Sequence, residues 1–204
     1  MDKRKFIFLL KRWVVVIAVY LSGYLFLNIL TVKKEVVSIL TIPWDEQIPI
    51  LPNFIYPYVA AYFIFTFGLW PICWRQTKKD NEKTMRAALF IILISFLIYF
   101  FFPTEVPWSK IENGTLAIWI LNFLHPTQQV FNAFPSLHTA FITFVNCLLW
   151  RQKKSLGIAF LPLTIIIILS TIFTKQHVIV DLPAGIFLSL LSVWIFFRKE
   201  KSKI

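Results

Sequence analysis

The chain has 204 residues, 58% of them hydrophobic, with a mean hydropathy of +0.71 and a formal net charge of +11. A water-soluble domain of that size buries only part of so much apolar surface, so an ordinary soluble globule is excluded and lipid is the expected solvent for most side chains. The positive charge falls in short clusters between apolar runs, a pattern of membrane topology and not of nucleic-acid binding, and the two distant cysteines, Cys73 and Cys147, imply neither a disulfide framework nor a metal site.

In chain order, a basic opening (Lys3, Arg4, Lys5, Lys11) precedes a first apolar run over residues 12–31. That run is too long for a signal peptide and lacks a small-residue cleavage site, so it is expected as a retained helix. Residues 32–53, with Pro43, Pro49 and Pro52, are expected as loop. A second run covers 54–74 and leads into a basic segment, 75–86; a third covers 87–102 and stops at Pro103. The connection 104–134 is the longest, and its apolar stretch 116–124 is too short to cross a bilayer, so it should lie in the interface or re-enter. The last three runs are 135–150, 156–173 and 182–197. Roughly 20 helical residues cross the hydrocarbon, so the expected architecture is all-α, a polytopic bundle of six transmembrane helices. No linker or repeat divides it, and residues 1–204 are read as one membrane-embedded domain.

Alternating the runs across a membrane puts the N-terminus, 75–86, 151–155 and the C-terminus on one side. All Lys and Arg but Lys33, Lys34, Lys110 and Lys175 then fall there. The positive-inside rule makes that side cytoplasmic, with both termini inside.

The three histidines, His125, His138 and His177, all fall on the opposite, external side. His138 opens the fourth run in Asn132-Ala-Phe-Pro-Ser-Leu-His138, and His177 precedes the sixth in Thr174-Lys-Gln-His177-Val-Ile-Val-Asp181. Between them the chain crosses inward and returns, so the two imidazoles can face one pocket. His177 and Asp181 are spaced i, i+4 and would share a face of a helix. A carboxylate there fixes the imidazole tautomer and leaves the other nitrogen free as a nucleophile. Ser136 is a plausible helix cap, and the helix N-terminus it marks suits a phosphate. Lys175 could add a cation to the same anion. These parts suit phosphoryl transfer. His125 lies in no motif and is expected to be structural.

Asn132-Ala-Phe-Pro-Ser-Leu-His138, followed by Lys175-Gln-His177-x-x-x-Asp181-x-x-Ala184-Gly185, resembles the type 2 phosphatidic acid phosphatase superfamily. Pro-Ser-Leu-His in place of Pro-Ser-Gly-His is similar to its bacterial, inositol-phosphorylceramide-synthase-like branch, as are Asp45-Glu-Gln-Ile-Pro-Ile-Leu-Pro52 and Pro103-Thr104. The resemblance spans about residues 45–190. It implies a hydrolase needing neither metal nor other cofactor, in which His177 attacks phosphorus, Asp181 orients it, and His138 protonates the leaving alcohol. The substrate would be a lipid phosphate or diphosphate, with Lys175 and Ser136 near the phosphate. Two arginines of the wider family are replaced: Pro103-Thr-Glu-Val-Pro107-Trp108 stands where one is expected, and Thr171 occupies the place of the other. The alternatives are a lipid head-group phosphotransferase and a non-catalytic membrane transporter.

Overall fold

The computed structural model describes residues 3–32, 37–108, 111, 112, 114–128 and 131–198. The described residues are mostly helical: α1 (Lys3–Val32), α2 (Pro43–Gln47), α3 (Ile55–Phe63), α4 (Leu69–Arg75), α5 (Lys78–Phe101), α6 (Leu116–Gln128), α7 (Leu137–Gln152), α8 (Lys154–Phe173) and α9 (Asp181–Phe197). Two short strands, β1 (Ser38–Ile39) and β2 (Thr104–Glu105), pair in parallel above the helices.

Among the described residues, four helical stretches are long and apolar enough to cross a membrane: Lys5–Thr31, Pro52–Arg75, Lys78–Phe101 and Lys154–Phe173. The helices α7 and α9, with 16 and 17 residues, are shorter. At about 1.5 Å per residue they measure roughly 24–26 Å, less than a hydrocarbon core of about 30 Å. Leu25, Phe26, Phe67, Leu93, Phe187 and other large apolar side chains stay exposed around the bundle, as lipid-facing groups would. The main core joins Trp13 and Val16 of α1 to Ile91 and Ile92 of α5, Phe141 and Phe144 of α7, and Leu188 of α9.

Three expectations need correction. The basic segment 75–86 is helical from Lys78 onward, because Thr77 caps α5: its Oγ1 accepts from Asp80 N at 3.1 Å and donates to Asp80 Oδ2 at 2.8 Å. The loop 32–53 contains α2, where Pro43 takes the first helical position and Asp45 Oδ2 accepts from Ile42 N at 2.8 Å. The second run is not a uniform α-helix. Between α3 and α4, Ile64–Gly68 form a π-helical turn. Pro71, which has no N–H, lies just beyond it and cannot complete the regular ladder there.

The basic clusters that the described residues include meet at one end of the bundle. Lys5 Nζ donates to the carbonyls of Trp74 and Gln76, Arg12 pairs with Glu82 at 3.3 Å, Gln152 donates to Ile72 O, and Arg151 lies over the Phe197 ring. The opposite end carries β1, β2, α2, α6 and the N-termini of α7 and α9. There α6 buries Ala117 and Leu121 against Ile55 and Tyr58, and leaves Leu116, Trp119 and Phe123 exposed on its outer side. Lys33, Lys34, Lys110 and the side chain of His125 lie outside the described residues.

Candidate active site

Ser136 begins α7 as expected of a cap: its Oγ accepts from Thr139 N at 3.2 Å. Its own N–H donates to Asp181 O at 3.2 Å, so the start of α7 is tied to the start of α9. That tie needs a close approach. A Cβ on Gly185 would stand 2.5 Å from Ser136 O and 3.1 Å from Thr139 Cβ, so only glycine lets α9 lie so near the first turn of α7.

The segment before α9 departs from the helix expected for the His177–Asp181 spacing. The helix starts at Asp181, with Pro183 in its first turn, and His177 lies in the preceding turn. The turn is set by the end of α8. Lys175 has φ 54°, and Gln176 N and Lys175 N donate to Thr171 O and Ile172 O, closing the helix in a Schellman arrangement. His177 N also donates to Thr171 O, at 3.1 Å. Thr171, in the place where an arginine is expected, thus contributes its carbonyl to the turn that carries His177.

The i, i+4 pair still forms. His177 Nδ1 lies 3.0 Å from Asp181 Oδ2, which also accepts from Val178 N at 3.0 Å. Asp181 is fully buried and His177 nearly so. An ionised Asp181 takes the proton-bearing Nδ1 of His177 and leaves Nε2 with its lone pair. The His138 ring is 5.9 Å from that of His177, centroid to centroid, and is held between aromatics: stacked on Tyr58 at 4.4 Å and edge-on to Tyr62 at 4.9 Å.

Both imidazoles line one cavity of about 40 Å³, together with Tyr20, Tyr24, Tyr99, Asn132 and Gln176. At roughly 10–15 Å³ per water, it holds three or four waters, the bulk of one phosphoryl group. His138 Nε2 and Gln176 Nε2 are buried with no hydrogen-bond partner among the described residues. Buried polar nitrogens are nearly always paired, so these two, on residues that line the cavity, are available to a polar occupant. The first-turn N–H groups of α7 face the same end, where the helix dipole favours an anion.

Lys175 does not line the cavity. Its Nζ donates to Asp45 O at 2.6 Å, behind the His177 turn. Ser136 Oγ is committed to its cap and is likewise absent from the lining. His138, His177 and Asp181 are therefore brought together, while Lys175 and Ser136 stand in the supporting wall.

Several supporting residues were missed by sequence reasoning. Asp45 Oδ1 accepts from Ile179 N at 2.8 Å, clamping the turn between His177 and Asp181 from α2. Thr104 Oγ1 accepts from both Ala133 N and Phe134 N at 3.0 Å, and Thr104 O accepts from Asn132 N at 2.7 Å. Asn132, at φ 63°, joins Asn28 and Thr31 of α1 through its side chain. Tyr99 OH donates to Pro135 O at 2.8 Å. The motif Pro103-Thr104 stands out in the sequence, but its use as a double acceptor for the loop before α7 has no local signature.

Comparison with known proteins adds one match. No curated protein and no solved structure matches the chain. The family model described as PAP2 superfamily matches residues 40–195, from the segment just before α2 to the last turn of α9. That span holds both histidine motifs and the Asp45, Thr104 and Gly185 contacts that bring them together, and on this match the chain belongs to the PAP2 superfamily.

Proposed function

We propose that the chain is an integral membrane phosphatase that hydrolyses a lipid phosphate or diphosphate through a phosphohistidine on His177. Membership in the superfamily makes it a membrane phosphoesterase of the hydrolase or phosphotransferase kind. The observation that carries the finer reading is the pairing of two imidazoles 5.9 Å apart on one small polar cavity, with Asp181 on the far nitrogen of one of them.

In this reading His177 Nε2 attacks phosphorus, the bond from phosphorus to the lipid oxygen breaks, and protonated His138 gives its proton to that oxygen. Water then attacks the phosphohistidine, and neutral His138 takes its proton. Positioned proton transfer of this kind is typically worth about 10²–10⁴-fold. Gln176 Nε2 and the first N–H groups of α7 would hold the non-bridging oxygens. Lys175 and Ser136 act one layer back, Lys175 by fixing Asp45 against the His177 turn and Ser136 by starting α7.

A second reading, transfer of the phosphoryl or head group to a lipid hydroxyl, is favoured by the make-up of the cavity. Among the described residues its lining offers tyrosine hydroxyls, amides and imidazoles but neither lysine nor arginine. Neutral donors suit a singly charged phosphodiester better than a dianionic monoester, and a phosphodiester is the donor that head-group transfer requires.

We further propose one domain of six crossing helices, with the basic end and both termini cytoplasmic and the site on the external face of the cytoplasmic membrane. The shared end of the basic clusters supports this. The exposed Leu116, Trp119 and Phe123 on α6 fit a helix lying in the external interface.

The test is a panel of lipid phosphates, diphosphates and phosphodiesters given to purified protein in detergent with EDTA. Wild type should release phosphate and His177→Ala should release none; full activity in His177→Ala removes the nucleophile. Adding a labelled acceptor lipid separates the two readings, since only transfer yields a labelled phospholipid.

A further inference from the structure

A second cavity lies next to the first, toward the basic end of the bundle. It measures about 290 Å³, and its wall is apolar, including Trp13, Val16 and Leu21 of α1, Phe65 of the π turn, Ile92 of α5 and Phe141 of α7. Tyr20 and Tyr62 line both cavities, so the polar and apolar spaces meet at these two rings. Phe65 lies 5.9 Å from the His138 ring and 4.9 Å from Phe141, and so stands between the catalytic imidazole and the chamber.

The chamber has a side opening. Leu21 is 52% exposed and Thr66 is exposed, so the wall between α1 and the π turn is incomplete. At the basic end the same two helical stretches close on each other, with Phe6 and Trp70 at 5.3 Å and Lys5 Nζ on Trp74 O. The gap therefore lies in the half of the bundle that faces the site. The Thr66 hydroxyl at its edge is turned back to Tyr62 O at 2.8 Å.

We propose that this chamber holds a hydrocarbon chain of the substrate lipid, which enters sideways between α1 and the π turn while its phosphate occupies the cavity at His177. The inference rests on the reading of the polar cavity as a phosphate site. Three observations select a lipid chain as occupant. The space is continuous with the site through Tyr20 and Tyr62. It opens laterally on a flank covered by exposed apolar side chains. Its volume is about twice the roughly 150 Å³ that accommodates one benzene, enough for a chain segment of about twelve carbons. Left empty, the lining would forfeit its dispersion contacts over the whole wall.

The experiment uses the full chain in lipid nanodiscs with a lipid phosphate carrying a diazirine in the middle of its acyl chain. After irradiation the adducts are mapped by mass spectrometry. Trp13, Ile92 and Phe141 are buried from bulk lipid, so only a chain inside the chamber reaches them. Adducts on these residues are expected, with their loss in Val16→Trp, which fills the space. Leu21→Trp, at the half-exposed mouth, provides the same test if Val16→Trp does not fold. Leu25→Trp, on the exposed face of α1 outside the chamber, should leave the adducts in place. Adducts confined to outward residues such as Leu25, Ile29 or Phe63, an absence of adducts, or adducts indifferent to both filling substitutions overturn the proposal. The activity of the wild type separates the two readings: buried adducts in a wild type inactive toward every substrate keep the chamber and remove the phosphatase, whereas wild-type turnover without buried adducts does the reverse.

Discussion

At the scale of single residues, the site is a set of polar atoms whose partners are fixed and a few whose partner is missing. Asp181 Oδ2 accepts from His177 and from Val178 N, while Gln176 Oε1 accepts from Tyr58 OH at 3.4 Å and its buried Nε2 has no partner among the described residues. A hydrogen bond to a charged group is worth about 1.5–3 kcal/mol, and a carboxylate in its place would repel the anion. Gln176→Glu should therefore raise KM for a lipid phosphate by roughly 10–100-fold, the kinetic equivalent of that range. Steady-state kinetics check it, with an unchanged melting temperature showing that the fold survives; an unchanged KM would take Gln176 out of phosphate binding. The residues that meet at this scale were largely legible in the sequence. Rare histidines, an acid four residues beyond one of them and a Ser cap before the other are local patterns. The partners of those residues were not. Asp45 reaches Ile179 across 134 positions and Asn132 reaches Asn28 across 104, and no periodicity carries such pairs. The tyrosines around the cavity were hidden for another reason: among 22 Phe, 8 Trp and 6 Tyr they read as packing.

Between elements, the decisive contact is α9 on the first turn of α7. Gly185 permits it, and an alanine there would force its Cβ against the Ser136 carbonyl, a backbone atom that cannot swing aside. Overpacking of this kind costs typically about 1–3 kcal/mol. A displacement of about 1 Å between reacting groups can cost on the order of 10²-fold in rate. Gly185→Ala should thus lower both melting temperature and kcat. Gly157→Ala is the control, since its Cβ would press on Trp150 at 2.7 Å, at the far end of the α7–α8 hairpin. It should cost stability while the folded protein keeps its turnover; equal loss of kcat in both variants would contradict the role given to Gly185. The sequence pattern showed the hairpin and its two histidine-bearing ends, because an inward and an outward helix of similar length must return the chain to its starting level. It did not show that His177 lies in a turn, since i, i+4 spacing fits a helix equally well and the Schellman closure at Lys175 uses a residue with no turn signature. The capping pair Thr77 and Asp80, by contrast, was a readable signal that α5 begins in the basic segment.

For the molecule as a whole, charge and hydropathy placed the basic clusters on one side, and the structure gathers at one end those that it describes, with the histidine site at the other. The sidedness has a direct consequence. In a background with Cys73→Ser and Cys147→Ser, a membrane-impermeant maleimide added to intact cells should label Trp44→Cys, which is exposed beside the site. It should label Ser155→Cys, at the basic end, only after permeabilisation; the opposite pattern would turn the protein over in the membrane. The proposed chemistry requires His138 and His177 to act on one phosphorus atom. The most direct measurement is to quench turnover of a lipid substrate labelled in its phosphate and to locate the covalently bound label by mass spectrometry under alkaline conditions that preserve phosphohistidine. Label is expected on His177 in wild type and none in His177→Ala. Label on another residue, or continued hydrolysis by His177→Ala, would contradict the proposed chemistry.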